Sequence, residues 1–146
     1  MRRRRPRVAA AVFLGATLAL SGCGDDNGDQ ATPSPTIAVG GEAVAVERLR
    51  DAAAALCTAR DQARADVKQA RDTFYDRSHD DLHTISRALD AVDRAQSARL
   101  LEDKQRVESD LERNAPGSEL SADLDRLAGV TRSGLATLSV TVPPCS

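Results

Sequence analysis

The feature that most constrains this chain is an 80-residue stretch, residues 36–115, that contains no proline and repeats its apolar residues at helical intervals. Proline removes a backbone donor and clashes with the preceding turn, so its absence leaves room for long helices. Leu49, Ala53, Leu56, Ala63, Val67, Ala70 and Phe74 follow one another in steps of 4, 3, 7, 4, 3 and 4. Those steps share one face of a helix and scatter over both faces of a strand. From Glu42 onward no alternating apolar and polar run competes with this pattern.

The spacing predicts a first helix over residues 43–76. Arg60 is the one interruption, and its aliphatic stem can lie along the seam. A second helix is expected from Ser78, with Ser78 as N-cap and Asp81 three residues on. Its stripe is Leu82, Ile85, Leu89, Val92, Gln96, Leu100, Val107 and Leu111, and it should stop at Asn114-Ala115-Pro116-Gly117. A third helix, residues 118–139, carries Leu120, Leu124, Leu127, Thr131, Leu135 and Leu138. Gly129 and Gly134 each weaken it by up to ~1 kcal/mol against Ala, or mark a close helix contact. The expected fold is all-α: an antiparallel up-down-up three-helix bundle with long first two helices. Its seams are Ala-rich with one aromatic, Phe74, so the core should be thin.

The N-terminus carries a different signal. Arg2, Arg3, Arg4, Arg5 and Arg7 precede an apolar run of 13 residues, 8–20. A membrane span needs about 20 apolar residues, so the run suits a secretory signal better than an anchor. Leu20-Ser21-Gly22-Cys23 resembles the lipobox of bacterial lipoproteins, whose type II signal peptide ends before a cysteine. The resemblance implies that the Cys23 thiol carries a diacylglyceryl group with palmitate-like chains and becomes the first residue after cleavage. Two acyl chains hold a protein durably where one does so only marginally. The chain has 18 Arg to 2 Lys and 16 Asp to 6 Glu. With the lipobox, that usage is similar to small lipoproteins of actinobacteria. The implied address is the extracytoplasmic face of the cell membrane.

Residues 1–22 therefore read as a signal peptide, residues 23–41 as the lipidated cysteine and a flexible Pro/Gly-rich linker, and residues 42–146 as the helical domain. Cleavage leaves 124 residues with 15 basic and 22 acidic side chains, a net charge of −7. That balance excludes nucleic acid as a partner, because phosphate binding needs a basic patch. It also excludes a basic membrane-surface helix.

Two further cysteines remain, Cys57 and Cys145, and in an oxidising compartment they are expected to form one disulfide. In the expected bundle the third helix starts level with the beginning of the first and climbs ~30 Å. That brings its end level with residues 60–64, from which the tail doubles back to Cys57.

Both histidines of the protein, His79 and His83, lie four residues apart. On a helix they share a face, a usable spacing for Zn, Cu or Ni, with Asp76 as the nearest spare carboxylate. The segment points away from the Phe74 face and should be solvated, and Asp80 and Asp81 are accounted for by the field at a helix start. The chain shows no nucleophile elbow, phosphate loop, HExxH or acid pair in an apolar setting, so catalysis is not expected. The expected role is an interaction or accessory module working on another envelope protein, with no cofactor beyond the lipid. Metal handling at the His79/His83 turn is the alternative.

Overall fold

The computed structural model describes residues 34–146. The leader, Cys23 and the tether up to residue 33 lie outside the described residues.

The described chain opens with a hairpin. Strands β1 (Thr36–Val39) and β2 (Glu42–Ala45) pair antiparallel, from Thr36 opposite Ala45 to Val39 opposite Glu42. Gly40 and Gly41 join them with φ of 58° and 90°. A two-residue turn with both φ positive suits the right-handed twist of a hairpin, and glycine reaches it without strain. Composition assigns residues 36–41 to the tether, but Val39 is buried and Ile37 packs on the helical core. The Val46 N–H donates to the Pro35 carbonyl at 2.9 Å, which ties the hairpin to the first helix.

Five helices follow: α1 (Val46–Ala63), α2 (Val67–Arg77), α3 (His79–Asp90), α4 (Arg94–Glu112) and α5 (Gly117–Thr137). The protein is mostly helical as the spacing predicts, but the expected first and second helices are each divided. Both breaks use the same device. Asp66 accepts a hydrogen bond from the Gln69 N–H, and Asp93 accepts one from the Gln96 N–H, each at 3.0 Å. Just before each cap, two successive N–H groups converge on one carbonyl. Ala65 and Asp66 donate to Gln62, and Val92 and Asp93 donate to Leu89. A capping aspartate satisfies donors that a continuing helix would have bonded internally, so the chain restarts in a new direction.

Between α2 and α3 only Ser78 intervenes. It makes no side-chain cap. Its hydroxyl turns inward and donates to the Ala52 carbonyl of α1 at 3.0 Å, where burial makes an unmet hydroxyl costly.

Side-chain bonds fix the packing. Thr73 donates to Gln62 at 2.7 Å, which runs α2 back along α1. Ser86 and Ser97 lie 2.8 Å apart, joining α3 to the start of α4. Gln96 donates to Ser133 at 2.9 Å, joining the start of α4 to the end of α5. Arg64 and Ser121 meet at 3.3 Å, so α5 begins beside the end of α1 and runs antiparallel to it. The expected bundle has these two helices starting level. Ser78 does not reverse the chain, because α3 continues toward the start of α1 and sets Asp81 on Arg48. The reversals fall at Asp66, at Asp93 and before Gly117, three where the expected bundle has two, so α5 is inverted.

Leu49, Leu56, Phe74, Leu82, Ile85, Leu89, Leu100, Leu111, Leu120, Leu124, Leu127 and Leu135 are the largest fully buried side chains. All lie on the predicted stripes. Val92 does not bury: it is 63 % exposed, because it falls in the turn before Asp93. Two glycines leave no room for a side chain. A Cβ on Gly117 would stand 2.2 Å from the Ala63 carbonyl oxygen, and one on Gly134 would stand 2.7 Å from the Leu89 Cδ1. Gly129 has nothing within 4 Å, so it marks no helix contact.

Candidate functional site

Two places concentrate chemistry. The first is the C-terminal tail against α1. After α5 the chain turns at Ser139, whose φ is 61°, and Val140 is buried. The Thr141 carbonyl accepts from Arg50 Nε at 3.2 Å. Further on, the Ser146 carbonyl accepts from Arg60 at 2.7 Å. The tail thus travels along α1 from residue 50 toward residue 60, and Cys57 and Cys145 are joined between these two arginines with Cα atoms 5.3 Å apart. The tail reaches Cys57 from the start of α1 and not, as the three-helix layout implies, by doubling back from residues 60–64.

Arg60 breaks the apolar stripe because its head has a task. The guanidinium also meets Asp61 at 2.7 Å and Asp125 of α5 at 3.2 Å, and the side chain is only 17 % exposed. The hydrogen bonds to Asp61 and Asp125 raise its pKa still further, so it stays charged. Beside the disulfide, Arg50, Ala54, Val142, Pro143 and Pro144 line a shallow groove of ≈ 310 Å³.

The second place is the start of α3. His79 lies between two carboxylates: Nδ1 is 2.9 Å from Asp80, and Nε2 is 3.0 Å from Glu108 of α4. Carboxylates only accept, so each of these bonds needs an N–H on the ring nitrogen that makes it. Glu108 also accepts from Lys104 at 2.6 Å. Lys104 is 3 % exposed, and this ion pair is what makes a buried ammonium tolerable. Burial pushes the Glu108 carboxyl up, but Lys104 and then His79 outweigh it and hold it below the usual carboxylate range. His83 is pushed down, first by burial and then by Lys104 and His79.

The aromatic side chains of the described residues gather at the same place. Phe74 and Tyr75 lie 5.1 Å apart, Phe74 and His79 6.0 Å, and His79 and His83 5.3 Å. His79 therefore sits on the rim of the Phe74 core and is not turned away from it as the spacing suggests. Asp81, expected only to favour the helix start, pairs with Arg48 of α1 at 2.6 Å.

The two histidine rings come together as their spacing requires. The carboxylates bonded to His79 are Asp80 and Glu108, while Asp76 is exposed on α2. A metal ion at His79 would have to displace one of them from a ring nitrogen. Among the described residues no group of three His, Cys, Asp or Glu side chains is arranged to hold a metal. Glu108, Lys104 and the clasp at Arg60 are invisible as site residues in the sequence. Glu108 lies 29 residues from His79, and Arg60 reads only as an interruption of the stripe whose stem can lie along the seam.

Among the described residues no helix is long and apolar enough to cross a membrane. No protein family matches this chain, and neither does any curated protein or solved structure.

Proposed function

We propose that this protein is a lipid-anchored helical module on the extracytoplasmic face of a bacterial membrane, acting by contact with another envelope protein and without catalysis. The observation that carries this reading is the Cys57–Cys145 bond, which fastens the tail to α1. Disulfides persist in oxidising compartments and are rare in reducing ones. The sequence Leu20-Ser21-Gly22-Cys23 supplies the anchor in this account, and the acidic surface leaves membrane attachment to the acyl chains. Cell fractionation tests it. The native chain should sediment with membranes and leave them only in detergent, while Cys23→Ala should be released or remain unprocessed. A native chain recovered from cytosol, with Cys57 and Cys145 reduced, would remove the basis for the reading.

The 5.3 Å approach of His79 and His83 favours metal handling as a second reading. Zn²⁺, Cu²⁺ or Ni²⁺ at a hundred times its Kd would stabilise the fold by about 2.7 kcal/mol. The same shift in a His79→Ala/His83→Ala chain would end that reading.

A further inference from the structure

The seam between α4 and α5 buries a pair of carboxyls that neither the disulfide nor the histidine cluster uses. Asp110 is 3 % exposed. Its Oδ1 takes the Arg113 guanidinium at 2.8 Å, while its Oδ2 is fully buried with no donor among the described residues. Across the seam the Gln96–Ser133 and Arg113–Glu119 bonds set α4 antiparallel against α5, and that register places Asp110 beside Asp123 of α5. Asp123 is largely buried and holds Arg126 at 2.6 Å. The sequence offers no sign of an acid pair in an apolar setting because only the antiparallel packing of α4 on α5 brings residues 110 and 123 together.

Two ionised carboxylates cannot hydrogen-bond to each other, whereas one proton between them turns repulsion into a donor and an acceptor. The helix ends decide which one carries it. Asp110 stands in the last turn of α4, where the macrodipole disfavours an anion. Asp123 stands in the second turn of α5, toward the end that favours one.

We propose that the α4–α5 seam binds one proton, carried by Asp110 and donated to Asp123, and that this proton latches the two helices together and loosens them when it leaves. The charged groups around the pair are Asp103, Arg106 and Arg113 on α4, and Glu119, Asp123 and Arg126 on α5. Burial pushes the Asp110 carboxyl up, the bond to Asp123 pushes it further, and Arg113 only partly opposes them. A cation is the other way to settle such a pair. Each carboxylate already takes a guanidinium, however, and no third ligand group joins them among the described residues.

A carboxyl whose folded pKa is raised stabilises the fold fully below its ordinary range, and that stability is lost as pH rises through the folded value. Asp81 and Asp103 are also pushed up by burial, so the test compares variants and does not rest on one profile. Urea midpoints of the full chain should fall as pH rises above the ordinary carboxylate range. Asp110→Asn keeps a donor toward Asp123 and cannot titrate. Its profile should be flatter than the native one by about one proton's slope. Carboxyl-carbon NMR of the folded native chain gives the second readout, with Asp110 titrating above the ordinary range. Equal slopes in the two chains, or an Asp110 that titrates in the ordinary range, would overturn the latch. Recovery of the native midpoint at high pH by Ca²⁺ or Mg²⁺, absent in Asp110→Asn, would overturn it in favour of a cation.

Discussion

Replacing Gly117 by alanine should open the fold at the junction of α1 and α5. Gly117 starts α5 directly against the end of α1, and a Cβ there would lie 2.2 Å from the Ala63 carbonyl oxygen and 3.1 Å from its carbon. Both obstacles are backbone, and neither can rotate away. Ordinary contact begins at 3.4 Å, so the two helices must part by about 1.2 Å. That movement pulls on the Arg64–Ser121 and Arg60–Asp125 bonds nearby. Overpacking of this kind costs typically ~1–3 kcal/mol, against a helix-propensity gain of at most ~1 kcal/mol for Gly→Ala. We expect a net loss of about 2 kcal/mol, which lowers Tm by roughly 10 °C in a domain of this size. Gly129→Ala is the control: nothing lies within 4 Å, so it should gain ~0.5–1 kcal/mol. Gly134→Ala should fall between them, because its obstacle is the tip of Leu89, a side chain that can shift. Urea unfolding followed by far-UV circular dichroism ranks the three variants. A Gly117→Ala chain that unfolds at or above the native midpoint would refute the close approach of α1 and α5.

Other perturbations act on separate parts of the fold. The disulfide closes a separation of 88 residues, so Cys57→Ser should cost up to ~4.6 kcal/mol in the chain-entropy model, read as a large drop in urea midpoint. Reductant should then leave the variant unchanged while destabilising the native chain. Asp66→Ala and Asp93→Ala should each cost ~1 kcal/mol, and because the two caps lie in different turns their effects should add. Arg60→Ala should cost less than ~1 kcal/mol, since its partners Asp61 and Asp125 are well exposed, but should speed reduction of the disulfide beside it. Equal reduction rates in Arg60→Ala and native chains would show that Arg60 does not hold the tail.

The helical stripes were legible because burial against a core imposes a 3.6-residue period: Leu49 to Phe74, Leu82 to Leu111 and Leu120 to Leu135 are the buried faces. The breaks were harder to see, because periodicity runs almost unchanged through a tight turn between packed helices. Their signal is local. Asp66-Val67-Lys68-Gln69 and Asp93-Arg94-Ala95-Gln96 share the D-x-x-Q form of a capping box, and Gly40-Gly41 between two short apolar runs is a hairpin signal. Because the chain reverses at Asp66 and Asp93 and not at Ser78, α5 is inverted and the tail reaches Cys57 from the start of α1. The pairings of His79 with Glu108 and Asp110 with Asp123 had no signal of their own. They depend on the crossing of α4 with its neighbours, which single-residue spacing does not encode.

Mass spectrometry of the protein from its native membrane tests the central claim most directly. A mature chain beginning at Cys23, heavier by a diacylglyceryl group and lighter by the two hydrogens lost on joining Cys57 to Cys145, is the predicted result. An unmodified Cys23 within an intact leader, with both other thiols alkylatable, would contradict it.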